Sequence, residues 1–384
     1  MDVRAILVVG SPADSASEQF AGCPLALLDV LGASPALRIA ARLRTFGIDE
    51  VTVIYESGHK CPSPKPSSSE RWLRALETEA GTLWRSCEEV FSDYAQNGAE
   101  LVIVQRMGPY LELHFEQLLQ YHLDKKGRVT RAVSDRGEQL DAFVISASRR
   151  NDAAFLFRHQ LAECRSECVD YVFHGHTNLL RSAEDLRGLG RDGLFQANNV
   201  VPVGHELRPG IWIGAHARIE RGARLVAPCF IGERAKVRTA AVITRGSALE
   251  RFAEADCGTV VEDSSLLPFS KIGPGLDCTN SVAGFQRLAH LPRKVEVEIA
   301  DSRLLAALSP SPARRTTTDA FALAGLITRA LPTLLRRAPS EPSFADSDAI
   351  APEVQSSIEK MRSARREESA PEPTFEKVRS LLHL

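Results

Sequence analysis

Ile213-Gly214-Ala215-His216-Ala217-Arg218-Ile219-Glu220-Arg221-Gly222-Ala223-Arg224-Leu225-Val226-Ala227-Pro228-Cys229-Phe230-Ile231-Gly232 carries an aliphatic residue at every sixth position. The phase runs outward through Val201 and Leu207 upstream and through Val237, Ile243, Leu249, Val261 and Leu267 downstream, with Ala255 as its one small member. A helix repeats at about 3.6 residues and a strand at about 2, so this period requires a solenoid with short, equal sides. One inward aliphatic per side and three sides per turn give a coil of about eighteen residues, so about four coils fit between Val201 and Ile272. Small residues follow the aliphatic at Gly214, Gly232 and Gly273, where a tight corner favours a backbone free of Cβ. Ile272 falls one residue early, which predicts a bend or the last full coil there. Residues 201–300 are therefore predicted to form a parallel β-helix.

Upstream the pattern changes. Residues 3–9 read as a buried strand ending at Gly10-Ser11-Pro12, followed by a helical pattern from Pro35 to Phe46 and a second strand from Glu50 to Tyr55. A helix is predicted over Ser69 to Asn97, a strand over Leu101 to Val104, a helix over Leu111 to His122 and a strand over Val129 to Val133. Alternating strand and helix signals predict a doubly wound, mostly parallel sheet over 1–165. The fold class is thus α/β plus β-solenoid. Ligands of such sheets sit at the carboxyl ends of the strands, which directs attention to the loops after Val9 and Val104. Residues 166–200 read as a connector in which Ser182 is placed to cap a helix.

After Asp301 the chain changes character again. Ser309-Pro310-Ser311-Pro312 is a linker, Thr318 to Arg337 an amphipathic helix with Arg329, Arg336 and Arg337, and 338–373 a Ser-, Pro- and charge-rich stretch. Residues 301–384 are expected to be helical in part and otherwise disordered, the basic helix docking on the solenoid end or lying on an anionic membrane. The Pro- and Ser-rich run from Gly58 to Ser69 is read as an excursion.

Among 384 residues, 47 Lys plus Arg against 49 Asp plus Glu exclude a strong global field, which argues against nucleic acid as the partner. Eight cysteines spread over this length lack the density of a secreted disulfide scaffold and are expected to be reduced thiols of a cytoplasmic protein. The start, Met1-Asp2-Val3-Arg4, runs straight into a strand and is not read as a signal peptide. No apolar run approaches the roughly twenty residues of a transmembrane span.

A doubly wound domain followed by a left-handed hexapeptide β-helix is the order found in sugar nucleotidyltransferases. The local runs resemble the mannose-1-phosphate guanylyltransferase and glucose-1-phosphate thymidylyltransferase type over roughly residues 3 to 300. The runs that carry the resemblance are Ala5-Ile6-Leu7-Val8-Val9-Gly10, Pro24-Leu25-Ala26-Leu27-Leu28-Asp29-Val30 and Phe46-Gly47-Ile48-Asp49-Glu50-Val51-Thr52-Val53-Ile54. In the solenoid, Ile213 to Ile219 and Ala227 to Gly232 are similar to the family's repeats. The resemblance implies attack of a sugar-1-phosphate on a nucleoside triphosphate, with Mg²⁺ as cofactor if that transfer is retained. It places nucleotide binding at Gly10 and Ser11.

Against the family pattern, however, the charged positions are empty. The expected Gly-Gly-x-Gly-Thr-Arg-Leu loop reads Gly10-Ser11-Pro12-Ala13-Asp14-Ser15-Ala16-Ser17, and the family lysine falls at Leu25. The first metal aspartate falls within Gln105-Arg106-Met107 and the second within Phe173-His174-Gly175-His176. Losing the arginine, the lysine and both carboxylates removes most of the electrostatic stabilisation of such a transfer. The expected role is therefore binding, regulation or scaffolding in nucleotide-sugar or polysaccharide metabolism. The expected partners are a nucleotide or nucleotide sugar and either a second copy or an active paralogue.

Two alternatives stand beside this reading. Arg106, Lys60 or Lys65 takes over the missing charges in an active, unconventional pyrophosphorylase, or His216 serves as general base of a hexapeptide acyltransferase acting with coenzyme A. A lone histidine on a solenoid corner is more often simply solvated. Cys164, Cys168, His174 and His176 have the residue types of a zinc site, but their spacing matches no finger, and they are read as linker residues with no metal assigned.

Overall fold

A computed structural model describes residues 1–10, 19–57, 72–164 and 168–308. The readings for Ser11, Lys60, Lys65 and residues 309–384 lie outside those residues. Seven strands form the first sheet, in the order Cys168–Val172, Val129–Val133, Gln139–Ser146, Leu101–Arg106, Val3–Val8, Glu50–Glu56 and Leu73–Thr78. All pairings are parallel except those of Gln139–Ser146, which runs against both neighbours. Helices α1 (Pro35–Thr45) and α3 (Phe115–Lys125) contribute to the core on one face, and α2 (Leu83–Gln96) and α4 (Arg150–Arg158) to the core on the other. Ser34 caps α1 with its side chain accepting the Leu37 N–H, and Pro35 occupies the first turn, where a missing N–H costs nothing. Ser182 caps α5 (Ala183–Leu194) in the same way, as the sequence predicts.

Several elements differ from the sequence reading. The predicted helix over Ser69 to Asn97 is instead a strand, Leu73–Thr78, followed by α2. Pairing with Val51 to Glu56 outweighs the helix propensity of Leu-Arg-Ala-Leu-Glu, and Gly81, with φ of +80°, turns the chain between the two elements. Leu111 belongs to the short strand Tyr110–Leu111, paired with Thr177–Asn178, so α3 begins four residues later. The strand Cys168–Val172 carries the sheet past residue 165.

Downstream, parallel strands stack into three sheets. Ile213, Ile231 and Leu249 lie in register on one side, Ile219, Val237 and Ala255 on the second, and Leu225, Ile243 and Val261 on the third. Their shared eighteen-residue offset is the three-sided coil that the six-residue period demands. The next coil is one residue shorter: Leu266, Ile272 and Cys278 follow Leu249, Ala255 and Val261. The slip therefore lies between Val261 and Leu266, and Leu267 leaves the stack to join the core of the sheet domain. Leu207 is also outside the stack. It lies on His205–Arg208, an antiparallel strand reversed onto Ile211–Ile213 through Gly210, and is 54% exposed. The coils thus begin at Ile211.

One side of the stack packs on the sheet domain. Phe230, Ala248, Leu267 and Val282 share a core with Val30, Leu31, Leu194 and Val200. The other two sides carry their outward residues to solvent or into ion pairs, among them Glu254 with Lys236, Arg238 and Lys271. Among the described residues, no helix is long and apolar enough to cross a membrane.

Candidate ligand site at the strand ends

The chain leaves Val3–Val8 to build the sheet on one side through Glu50–Glu56, then returns to the other side through Leu101–Arg106. The carboxyl ends of Val3–Val8 and Leu101–Arg106 therefore flank the topological switch point, where α/β sheets form a crevice. Val9 N–H donates to Ile54 O at 2.9 Å and Met107 N–H to Val8 O at 2.7 Å, which fixes the backbone of both strand ends. Gly10 continues from Val9 at this point.

Two kinds of side chain occupy this region. On one face of the sheet, Arg106 pairs with Asp141 at 3.7 Å, and Asp141 accepts a hydrogen bond from Gln139 Nε2 at 3.0 Å. Glu56 accepts the Gly81 N–H at 2.9 Å. On the opposite face, Gln105 stands in register between Leu7 and Ala142, fully buried, with neither amide atom hydrogen-bonded among the described residues. A buried amide without partners costs on the order of 1–3 kcal/mol, so a water or ligand group reaching it would gain both a donor and an acceptor.

Within the segments where the family resemblance expects charge, Leu25, Met107 and Phe173 are apolar and buried. They belong to one core, together with Phe20, Tyr110 and Leu111. Burial also pushes the Tyr110 hydroxyl above its ordinary range. Among the described residues, these three positions thus offer no lysine or carboxylate to neutralise a triphosphate or hold Mg²⁺.

The remaining sequence candidates do not converge. Cys164 and Cys168 are joined by a disulfide, which corrects the expectation of reduced thiols at these two positions. His174 pairs with Asp135 at 2.5 Å, and His176 points a buried Nε2 that has no partner among the described residues. Among the described residues there is no group of three or more His, Cys, Asp or Glu side chains arranged to hold a metal ion. His216 is exposed on the corner between the Ile211–Ile213 and Arg218–Ile219 strands, with φ of +59°.

A second polar assembly, which the sequence reading missed, joins the sheet domain to the stack. Glu250 is fully buried and accepts the backbone N–H groups of Leu31 at 2.8 Å and Gly32 at 2.9 Å. Both donors lie in a turn with left-handed backbone, φ of +53° and +89°. Asp29, in the same turn, meets Arg251 at 2.6 Å, an ionic contact off the hydrogen-bonding axis. Arg38 binds the carbonyls of Val30, Leu31 and Val201. Desolvation, then the Asp29 charge, pushes the Glu250 carboxyl up to about 7.

No protein-family model matches the chain, and no curated protein matches it either.

Proposed function

We propose that this chain is a sugar-nucleotidyltransferase-like protein of nucleotide-sugar or polysaccharide metabolism, with a degenerate catalytic site and a binding, regulatory or scaffolding role. Its stack is read as a left-handed hexapeptide β-helix. The observation that carries the reading is the burial in one apolar core of Leu25, Met107 and Phe173, which lie in segments where the family resemblance expects charge. A transfer site needs cations and a metal there, and burying such charges among these side chains without partners would be strongly unfavourable. A nucleotide or nucleotide sugar would sit at the switch point beside Gly10, and an active paralogue or a second copy is the partner such a role calls for.

The test incubates the pure protein with sugar-1-phosphates, each nucleoside triphosphate and Mg²⁺, and measures pyrophosphate. The expected result is no release, while a rise in melting temperature with one nucleotide or nucleotide sugar identifies the bound class. Ligand at about 100 times its Kd stabilises by about 2.7 kcal/mol, well within reach of such a measurement. Pyrophosphate release would overturn the degenerate site, and a melting temperature unmoved by every nucleotide would remove the binding role.

A further inference from the structure

The first coil of the stack differs from those below it in one electrostatic respect. In residues 229–284 every cation has a carboxylate partner: Arg234 with Glu233, Lys236 and Arg238 with Glu254, Arg245 with Glu262, Arg251 with Asp29, and Lys271 with Asp256. In residues 205–228, Arg208, Arg218, Arg221 and Arg224 are all exposed, and none makes a side-chain hydrogen bond or ion pair among the described residues. The two carboxylates of that stretch are engaged elsewhere, Glu206 with the Gly210 N–H and Glu220 with Arg238 and Thr239.

Among the described residues, nothing covers the end of the same coil. Arg218–Ile219 and Arg224–Leu225 are the terminal strands of their sheets and pair on one side only. Ile219, an inward residue, is 38% exposed and the inward Leu225 is half-buried, whereas Val237 and Ile243, their partners in the coil below, are fully buried; Val226, the outward neighbour of Leu225, is 48% exposed. Solenoid ends are ordinarily capped, because an open end exposes both its core and its unpaired backbone edges. The corner between these two sides, residues 220–223, is the one opposite the side that packs on the sheet domain.

We propose that this coil end is a docking surface for an acidic protein segment, added as a further turn of the coil, two short strands bent at the 220–223 corner, whose carboxylates alternate with aliphatic residues. Strand addition satisfies the free backbone groups at Ile219 and Leu225, its aliphatics cover Ile219 and Leu225, and its carboxylates meet the unpaired arginines. A lipid surface offers charge and apolar contact but leaves the backbone edges unpaired. A second copy docked end to end sets two groups of arginines against each other.

The test uses the full chain and a fluorescent peptide of alternating valine and glutamate, with a valine–lysine peptide as control. Binding of the acidic peptide alone is expected, at least about tenfold weaker in an Arg218→Glu, Arg221→Glu, Arg224→Glu variant whose melting temperature is unchanged. The bound peptide is expected to slow amide exchange at Ile219 and Leu225, which a purely electrostatic contact would leave untouched. Equal binding to wild type and variant, or binding without that protection, would overturn the proposal. So would arginine-dependent binding to phosphatidylglycerol vesicles without peptide binding, or arginine-dependent self-association of the chain.

Discussion

Glu250 Oε2 accepts the backbone N–H of Gly32 at 2.9 Å, joining residues 218 positions apart across the contact between stack and sheet domain. The geometry is that of an anion in a concave backbone turn, with Leu31 N–H donating to the other carboxylate oxygen.

A pH dependence follows from this buried carboxyl. Its folded-state value, up to about 7, lies above the ordinary value of 4.5, so the folded state binds the proton more tightly than the unfolded chain does. The resulting contribution to stability is fully present below about pH 4.5 and is lost as pH rises through about 7, a loss on the order of 3 kcal/mol. Melting temperatures of wild type and Glu250→Gln, taken from about pH 5 to about pH 8, should diverge in slope, with the variant lacking this fall. Parallel curves would show that Glu250 titrates normally.

Restoring a family charge should harm the protein rather than revive it. Met107 is 3% exposed within the apolar core, so Met107→Asp buries a carboxylate in that core. The expected cost is about 3 kcal/mol or more, read as a shift in the urea midpoint, with no gain in pyrophosphate release. A stable Met107→Asp protein that hydrolyses or transfers triphosphate would mean the pocket is open and polar.

The parts of this molecule that were legible in sequence are those set by local period. Ile231, Val237, Ile243, Leu249 and Val261 keep the six-residue phase because each stacks on an identical position one coil away. Leu207 holds the same phase yet lies in a hairpin leg, since phase alone cannot tell a coil from the reversal before it. The slip before Leu266 is hidden because Leu-Leu offers two aliphatics and only pairing chooses between them. Leu73–Thr78 reads as helix until its partner strand is known. At the site, the strand end at Gly10 is legible, as is the lack of charge at Leu25. The Glu250 contact is not, because its partners are backbone N–H groups that no side chain announces.

Crowding at the same contact is testable with two glycines of similar backbone. Gly32 and Gly47 have φ of +89° and +83°, so alanine is strained at both, at about 1 kcal/mol. A Cβ at Gly47 meets nothing within 4 Å, whereas one at Gly32 comes within 3.0 Å of Val203 Cβ and 3.1 Å of the Phe230 ring. Gly32→Ala should therefore cost about 1–3 kcal/mol more than Gly47→Ala in chemical denaturation. Equal costs would indicate that the contact between stack and sheet domain yields without penalty.

The extent of the coils can be measured by truncating two leucines that share the six-residue phase. Leu249 is fully buried between Ile231 and Leu266, so Leu249→Ala removes apolar contacts on both sides and leaves a cavity, at a cost of about 2–5 kcal/mol. Leu207, more than half exposed on its hairpin leg, gives Leu207→Ala a cost of no more than about 0.5 kcal/mol. Were the phase alone decisive, the two variants would melt alike. Comparable losses would place Leu207 inside a further coil and move the end of the stack upstream, which would also bury the edge at Ile219.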